Sequence, residues 1–357
     1  MDSHQNPGRA ADGTDADETK AVKPADPGGE ETRSVERGGS AEAETRILRS
    51  EGEPGTYERL NELAVGTRFA GYVIEAEIAR GEMGIVYRAR NMRLERIEAL
   101  KVIAPRYAAD AGFRARFRRE AMHAVIADHS HVVRVYDADE HDGHLYMAMQ
   151  FVDGVDLRKR LARDGALAPN VAVEITSQVA SALDAAHANG LIHRDVKPSN
   201  ILLAEVSEVP DAYLSDFGVS RRLAMPSDLT QPGSVVGTPY YTAPEQHDGK
   251  ASDHRSDVYS LGCVLFETLT GRHPFEGDSV TAVALAHLQQ PVPSVTGIDD
   301  RLPPAFDRVL AKAMAKDPDE RYQSAGQLAA DAQAAAEGKA DSTDATLALP
   351  APADPEP

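Results

Sequence analysis

Apolar and polar positions alternate in different ways along the chain. Up to about Ala64 the residues are mostly Gly, Glu, Asp, Ser and Thr, with few aromatics. Such a composition cannot bury enough apolar surface to offset the entropy of ordering. From about Phe69 to Val155 short β-like runs follow one another: YVIEAEIA, GIVYRAR, IEALKVI, VVRVYDAD and LYMAMQFV. One helical pattern, AGFRARFRREAMHAVIAD, interrupts them. From about Leu157 helical spacing takes over. The segment NVAVEITSQVASALDAAHANG carries apolar residues at that spacing and ends on Gly190, a natural helix C-terminal cap. The closing stretch GKADSTDATLALPAPADPEP is again biased toward Ala, Pro and Asp.

These patterns predict a disordered acidic tail over 1–65, a folded region over 66–336 and a second disordered tail over 337–357. Within the folded region a mostly β lobe (about 66–152) precedes a mostly α lobe (about 153–336), an α+β architecture. The junction at QFVDG is a candidate hinge, and the cleft beside it is the default place for a ligand.

Composition narrows the function. A length of 357 residues suffices for two lobes with tails. Hydrophobic residues at 42% and charged residues at 27% suit a soluble globular protein. A net charge of -19 argues against a broad nucleic-acid-binding face, so no nucleic-acid partner is expected. It leaves room for a local basic pocket that takes a phosphorylated ligand. The single cysteine, Cys263, rules out an intramolecular disulfide framework and reads as a small buried residue. No segment resembles a secretion signal, and no apolar run reaches the roughly 18 residues that span a bilayer. The expectation is a cytoplasmic protein without a membrane segment. The twelve histidines form no H-E-x-x-H or Cys/His cluster, so a zinc hydrolase has no support.

Candidate chemistry lies at and after the β-like runs. IARGEMGIVY places Gly81, Gly84 and Val86 in the spacing of a phosphate-cradling loop, G-x-G-x-x-G-x-V, with Ala79 in the first glycine position. Lys101, in EALKV one hairpin later, could neutralise phosphates, and Glu120 on the following helix pattern could reach it. In LIHRDVKPSNILL, Asp195 and Asn200 bracket Lys197 within one loop, where Pro198 stops a helix and NILL resumes a strand. A carboxylate to take a hydroxyl proton, a lysine beside a transferring phosphoryl and an amide that binds metal would make a phosphoryl-transfer site. YLSDFGVS sets Asp216 at a strand end beside a glycine turn, a position suited to Mg²⁺. GTPYYTAPEQ adds Thr238, Pro244 and Glu245.

In this order the motifs resemble the protein-kinase signature series: glycine loop, strand lysine, helix glutamate, HRD with its later asparagine, DFG and APE. The chain is most similar to bacterial serine/threonine kinases of the eukaryotic-like, actinobacterial type, over roughly Gly66 to Ala335. The resemblance implies a two-lobed protein-kinase fold, with one regulatory helix in the small lobe. It implies that ATP is the phosphoryl donor with Mg²⁺ as the metal (Mn²⁺ as a substitute), and that proteins with Ser or Thr acceptors are the substrates. Asp195 would be the catalytic base and Lys197 the group that stabilises the γ-phosphoryl. Asn200 and Asp216 would hold metal. Lys101 would contact the α- and β-phosphates and be fixed by Glu120, under the loop formed by Ala79, Gly81, Gly84 and Val86. Val86 and Ala99 would lie above the adenine and Leu202 below it, with Met149 as gatekeeper. The backbones of Gln150 and Val152 would bond the base.

The KPSN sequence after HRD, and Thr238 before APE, resemble the Ser/Thr-specific class. Glu245 would pair with Arg321, and Asp257 would brace the HRD backbone. Arg194 would receive an activation-loop phosphate, with Thr230 and Ser234 as candidate autophosphorylation sites. The family also allows a homodimer through the small lobe. Many members carry a membrane helix and an external sensor after the kinase domain. The polar C-terminal stretch departs from that pattern, so external sensing is not expected of this chain. The alternative function is a nucleotide-binding pseudokinase scaffold. Such proteins commonly lack one of Lys101, Asp195, Asn200 and Asp216, all of which are present.

Overall fold

The computed structural model describes residues 62–81, 83–126, 129–204, 209–217, 239–247 and 252–339, and for residues 119–126 the backbone alone. Nearly all of both expected tails, and the candidate phosphosites Thr230 and Ser234 with Thr238, lie outside these residues.

The first half of the folded region is an antiparallel sheet. Its strands are β1 (Arg68–Phe69), β2 (Tyr72–Gly81), β3 (Gly84–Asn91), β4 (Arg96–Ile103), β5 (Val135–His141) and β6 (His144–Gln150), in the spatial order β1-β2-β3-β4-β6-β5. Two helices, α1 (Pro105–Ala108) and α2 (Ala111–Ile126), come between β4 and β5. The period of two along β4 explains the packing. Ala99 and Ile103 share a face with Lys101 and join a cluster with Leu145, Met147 and two phenylalanines of α2. Those two, Phe113 and Phe117, are one helical turn apart and wholly buried. Leu100 and Val102 face the other way, into a cluster with Phe69, Tyr72, Ile74 and Tyr87. Leu63 packs on that second cluster and its N–H donates to the Tyr87 hydroxyl at 3.1 Å. The folded region therefore takes in at least residue 63, earlier than the composition suggests.

Past Gln150 the chain forms β7 (Val155–Asp156) and then helices α3 (Leu157–Asp164) and α4 (Pro169–Ala188). Asp156 caps α3 by accepting the Lys159 N–H at 2.9 Å. Helix α4 ends as its sequence predicts, with Gly190 at φ +72° just past the last turn. Strands β8 (Ile201–Ala204) and β9 (Asp211–Leu214) pair with β7 into a small second sheet. Helices α5 (Pro244–His247), α6 (Arg255–Thr270), α7 (Val280–Gln289), α8 (Ala305–Ala313) and α9 (Ala325–Ala336) complete the described chain. Every residue of α6 from Ser256 to Leu269 is buried, so this helix is the axis of the second lobe. Cys263 lies on it, fully buried beside Met314. No helix among the described residues is long and apolar enough to cross a membrane.

The β2–β3 hairpin shows that two glycines can be required for different reasons. Gly84 has φ +152°, and an added Cβ would collide with the Val102 carbonyl oxygen and lie 3.0 Å from the Ile103 Cα. Its identity is therefore set by the close approach of β3 to β4. An added Cβ on Gly81 would meet nothing within 4 Å, and no positive φ requires a glycine there. Gly84→Ala is expected to destabilise the fold by about 1–3 kcal/mol, since backbone must move to admit the methyl. Gly81→Ala is expected to leave the melting temperature unchanged. Thermal denaturation of the two variants without nucleotide checks both.

Candidate active site

The loop from Leu191 to Lys197 has no regular secondary structure, so other groups must hold it. Buried Asp257, in the first turn of α6, accepts the His193 N–H at 2.8 Å and the Arg194 N–H at 2.7 Å. His187 Nε2, at the end of α4, lies 2.8 Å from the same carboxylate. Arg194 sits at φ +67°, a conformation disfavoured by about 1–3 kcal/mol that persists only where neighbours enforce it. The Asp257 bond supplies that enforcement. His193 is wholly buried, its Nε2 2.9 Å from the Ser215 carbonyl and its Nδ1 accepting the Asp195 N–H at 3.2 Å. The Nε2–H tautomer satisfies both bonds, so the ring links the catalytic-loop backbone to the end of β9. His193 and Ser215 were given no role from the sequence; the histidine of HRD and the residue before DFG were the available signal.

Asp195 is fixed next. Its Oδ2 accepts from Lys197 Nζ at 2.8 Å and from Asn200 Nδ2 at 3.2 Å. The same Asn200 amide donates to the Asp195 carbonyl at 2.8 Å. Pro198 opens a single 3-10 turn, Pro198–Asn200, at the position where its missing N–H has no consequence. The proline thus shapes the turn that carries Asn200, as well as ending any helix. With Nδ2 bonded twice, Oδ1 is the Asn200 atom with the lone pairs for a cation.

Asp216 completes the polar group. It follows β9 at φ +61°, and the Ser215 N–H donates to the Asn200 carbonyl at 2.9 Å, tying the two loops together. Lys101 Nζ, from the middle of β4, donates to Asp216 Oδ1 at 2.7 Å. Burial alone would raise the Asp216 carboxyl, but the Lys101 ammonium outweighs it, helped by Lys197, and holds the group below its ordinary value. The acid is therefore ionised at neutral pH. Glu120 was expected to pair with Lys101. Its side chain lies outside the described residues, and the ion pair that the described residues give Lys101 is with Asp216.

The apolar residues expected around a base come together. Ala99 and Met149 belong to the buried cluster of the first lobe, and Val86, Val152 and Leu202 pack against it. Leu202 belongs to the second lobe, so the cluster spans the junction. The Gln150 N–H donates to the Arg134 carbonyl at 2.8 Å. Any bond from this residue's backbone to a base would therefore come through its carbonyl. Ala79 pairs with Val86 across the hairpin, and its φ is not positive. The methyl at this glycine position thus adds no backbone strain. Ala79→Gly is accordingly expected to change kcat/KM for ATP by less than about threefold, since no conformational penalty is relieved. Steady-state kinetics of the two proteins decides this.

Oxygen donors from one amide and one carboxylate suit a hard divalent cation that takes its remaining ligands from phosphate and water. Among the described residues no group of three or more His, Cys, Asp or Glu could hold a metal unaided. The donor set therefore fits a cation that arrives with a phosphate.

A sheet lobe over a helical lobe, with lysines, carboxylates and an amide gathered where they meet, defines a two-lobed phosphotransferase fold. The family model for the protein kinase domain matches residues 72–332, and the chain belongs to the protein kinase family. It is 47% identical over 266 residues to the serine/threonine-protein kinase PknD of Mycobacterium tuberculosis, covering 74% of this chain and 40% of the relative. It is 46% identical over 270 residues to PknE of Mycobacterium bovis, covering 76% and 47%. The chain thus spans less than half the length of these relatives. The crystal structure of the Mycobacterium tuberculosis PknI kinase domain superposes with a TM-score of 0.62 at 33% identity, covering 76% of this chain and 99% of that one.

Proposed function

We propose that this chain is a serine/threonine protein kinase that transfers the γ-phosphoryl of ATP to Ser and Thr hydroxyls of proteins. The observation that carries this is the bonded group Asp195–Lys197–Asn200 with the Lys101–Asp216 pair beside it. Asp195 takes the proton of the acceptor hydroxyl as the new O–P bond forms and the bond to the ADP oxygen breaks. Lys197, hydrogen-bonded to Asp195, neutralises charge on the moving phosphoryl. Lys101 moves from its bond with Asp216 to the α- and β-phosphates, and Glu120 orients it. Asn200 Oδ1 and Asp216 would hold Mg²⁺, or Mn²⁺ in its place. When bound, the ion supplies charge neutralisation on the phosphates. Val86, Ala99, Met149, Leu202 and the backbones of Gln150 and Val152 hold the adenine.

Autophosphorylation at Thr230, Ser234 or both would deliver a phosphate to Arg194 and order the segment between Asp216 and Glu245. Mapping that finds this segment unmodified in active protein would exclude that part of the proposal. Two tails, the N-terminal one ending before Leu63 and the other over 337–357, a homodimer through the small lobe and a cytoplasmic location complete it. The decisive experiment is transfer from γ-labelled ATP to a protein acceptor, with phosphoamino-acid analysis. Label on serine or threonine supports the proposal, and absence of label with any divalent ion overturns it.

A further inference from the structure

The glycine hairpin is anchored on one arm only. The β3 arm is docked on β4 with Gly84 opposite Ile103 and Val86 opposite Lys101. The β2 arm pairs with β3 alone near the tip: its register shifts between Glu77 and Ala79, and every residue from Glu77 to Gly81 is exposed. The Arg80–Glu77 and Arg80–Glu62 ion pairs lie at the surface, where such pairs contribute little. One described residue of the tip points the other way. Met83 is partly buried against the cluster that holds Ala99, Met149 and Phe113, and its carbonyl accepts the Ala104 N–H at 2.8 Å. Ala104 directly follows β4, three residues after Lys101.

We propose that Met83 is a positioning residue for nucleotide binding, a role that presupposes the ATP-binding reading above. Its flexible apolar side chain seats the tip of the hairpin on the core of the small lobe. That contact, with the Met83–Ala104 bond, holds the Gly81 backbone at one height above the phosphate site. Gly81 itself is exposed and pairs only with Gly84 across the hairpin, so its height follows that of the tip. Methionine suits an irregular gap of this kind because its unbranched chain adapts to the space.

Loss of the side chain should let the hairpin populate positions that do not bind. If the competent position falls to between a third and a tenth of the population, apparent Kd rises about three- to tenfold. The test measures binding of a fluorescent N-methylanthraniloyl ATP with Mg²⁺ to the full chain as wild type, Met83→Ala and Met83→Leu. Hydrogen exchange of the Ala104 amide is followed in parallel. Met83→Ala is expected to weaken binding by that factor and to speed exchange at Ala104. Met83→Leu, which keeps the apolar volume, is expected to stay within about twofold of wild type. A purely structural role would lower the melting temperature of Met83→Ala and leave Kd unmoved at a temperature where both proteins are folded. Equal Kd for wild type and Met83→Ala, or a Met83→Leu as weak as Met83→Ala, overturns the proposal. Failure of the wild type to bind the probe would instead refute the ATP-binding reading itself.

Discussion

Replacing Asp195 by Asn is expected to lower kcat for phosphoryl transfer by about 10²–10⁴-fold, the range a general base supplies. The substitution is nearly isosteric and keeps one oxygen that can accept from Lys197 or Asn200. The surrounding frame does not depend on the side chain that changes. The Asp195 N–H is held by His193, the preceding backbone by Asp257, and Asn200 keeps its bond to the Asp195 carbonyl. The loop should therefore remain in place while its proton acceptor is gone. Because ATP contacts are assigned to other residues, the nucleotide Kd is expected to stay within about threefold of wild type, the pattern of an interaction made only in the transition state. Single-turnover transfer and fluorescent-nucleotide binding on the same preparations separate the two quantities. Equal rates for variant and wild type would remove Asp195 from the role proposed for it. Loss of nucleotide binding together with rate would mean the loop had collapsed.

Residues that carry chemistry were legible in the sequence because their chemistry forces a local pattern. A lysine on a strand after a glycine hairpin, a carboxylate two residues before a lysine and a carboxylate beside a glycine turn can each be read without coordinates. Val86, Ala99, Met149 and Leu202 are only apolar by local pattern, and their place around a base came from the family resemblance; that they share one cluster depends on the lobes meeting. Other features were out of reach because they depend on tertiary distances. Nothing local to Gly84 says that a β4 carbonyl would occupy the space of its Cβ, or that the Cβ position of Gly81, its partner across the hairpin, is open. Nothing local to Met83 says that the tip of a phosphate loop would lie against the core. The pairing of Lys101 with Asp216 was likewise out of reach, the expected partner being Glu120. Asp216 is 115 residues away in sequence, and only the tertiary fold brings the two within 2.7 Å.

Arg321→Ala is expected to destabilise the fold by about 3–5 kcal/mol, the range found when one partner of a buried ion pair is removed. The pair is bidentate, with both guanidinium nitrogens 2.8 Å from the two Glu245 oxygens. Arg321 is 2% exposed and Glu245 8% exposed. Arg321 also donates to the carbonyls of Ala315, Lys316 and Arg255. Its removal leaves a buried carboxylate with the Ser256 hydroxyl and its own backbone N–H as donors, together with three carbonyls that lose a donor. A drop in Tm on the order of 10 °C follows for a domain of this size. The sign of the pH dependence follows from the shift of Glu245. Burial would raise its carboxyl, but the bonds from Arg321 and Ser256 prevail and hold it below the ordinary 4.5. A depressed folded value stabilises the protein above the ordinary value, and that contribution is lost as pH falls through the folded one. In the variant the uncompensated carboxyl takes up a proton more readily, which relieves the penalty under acid. The gap in Tm between wild type and Arg321→Ala should thus begin to narrow above pH 4.5, as the stranded carboxyl takes up its proton, and go on narrowing below 4.5 as the wild-type pair is itself protonated. A double variant, Glu245→Leu with Arg321→Met, should recover part of the loss by replacing both charges with apolar volume. Melting curves within about 2 °C of wild type for Arg321→Ala would show that the pair adds nothing to stability. A gap that did not change with pH would show that the destabilisation came from lost packing, with no part for the stranded carboxylate.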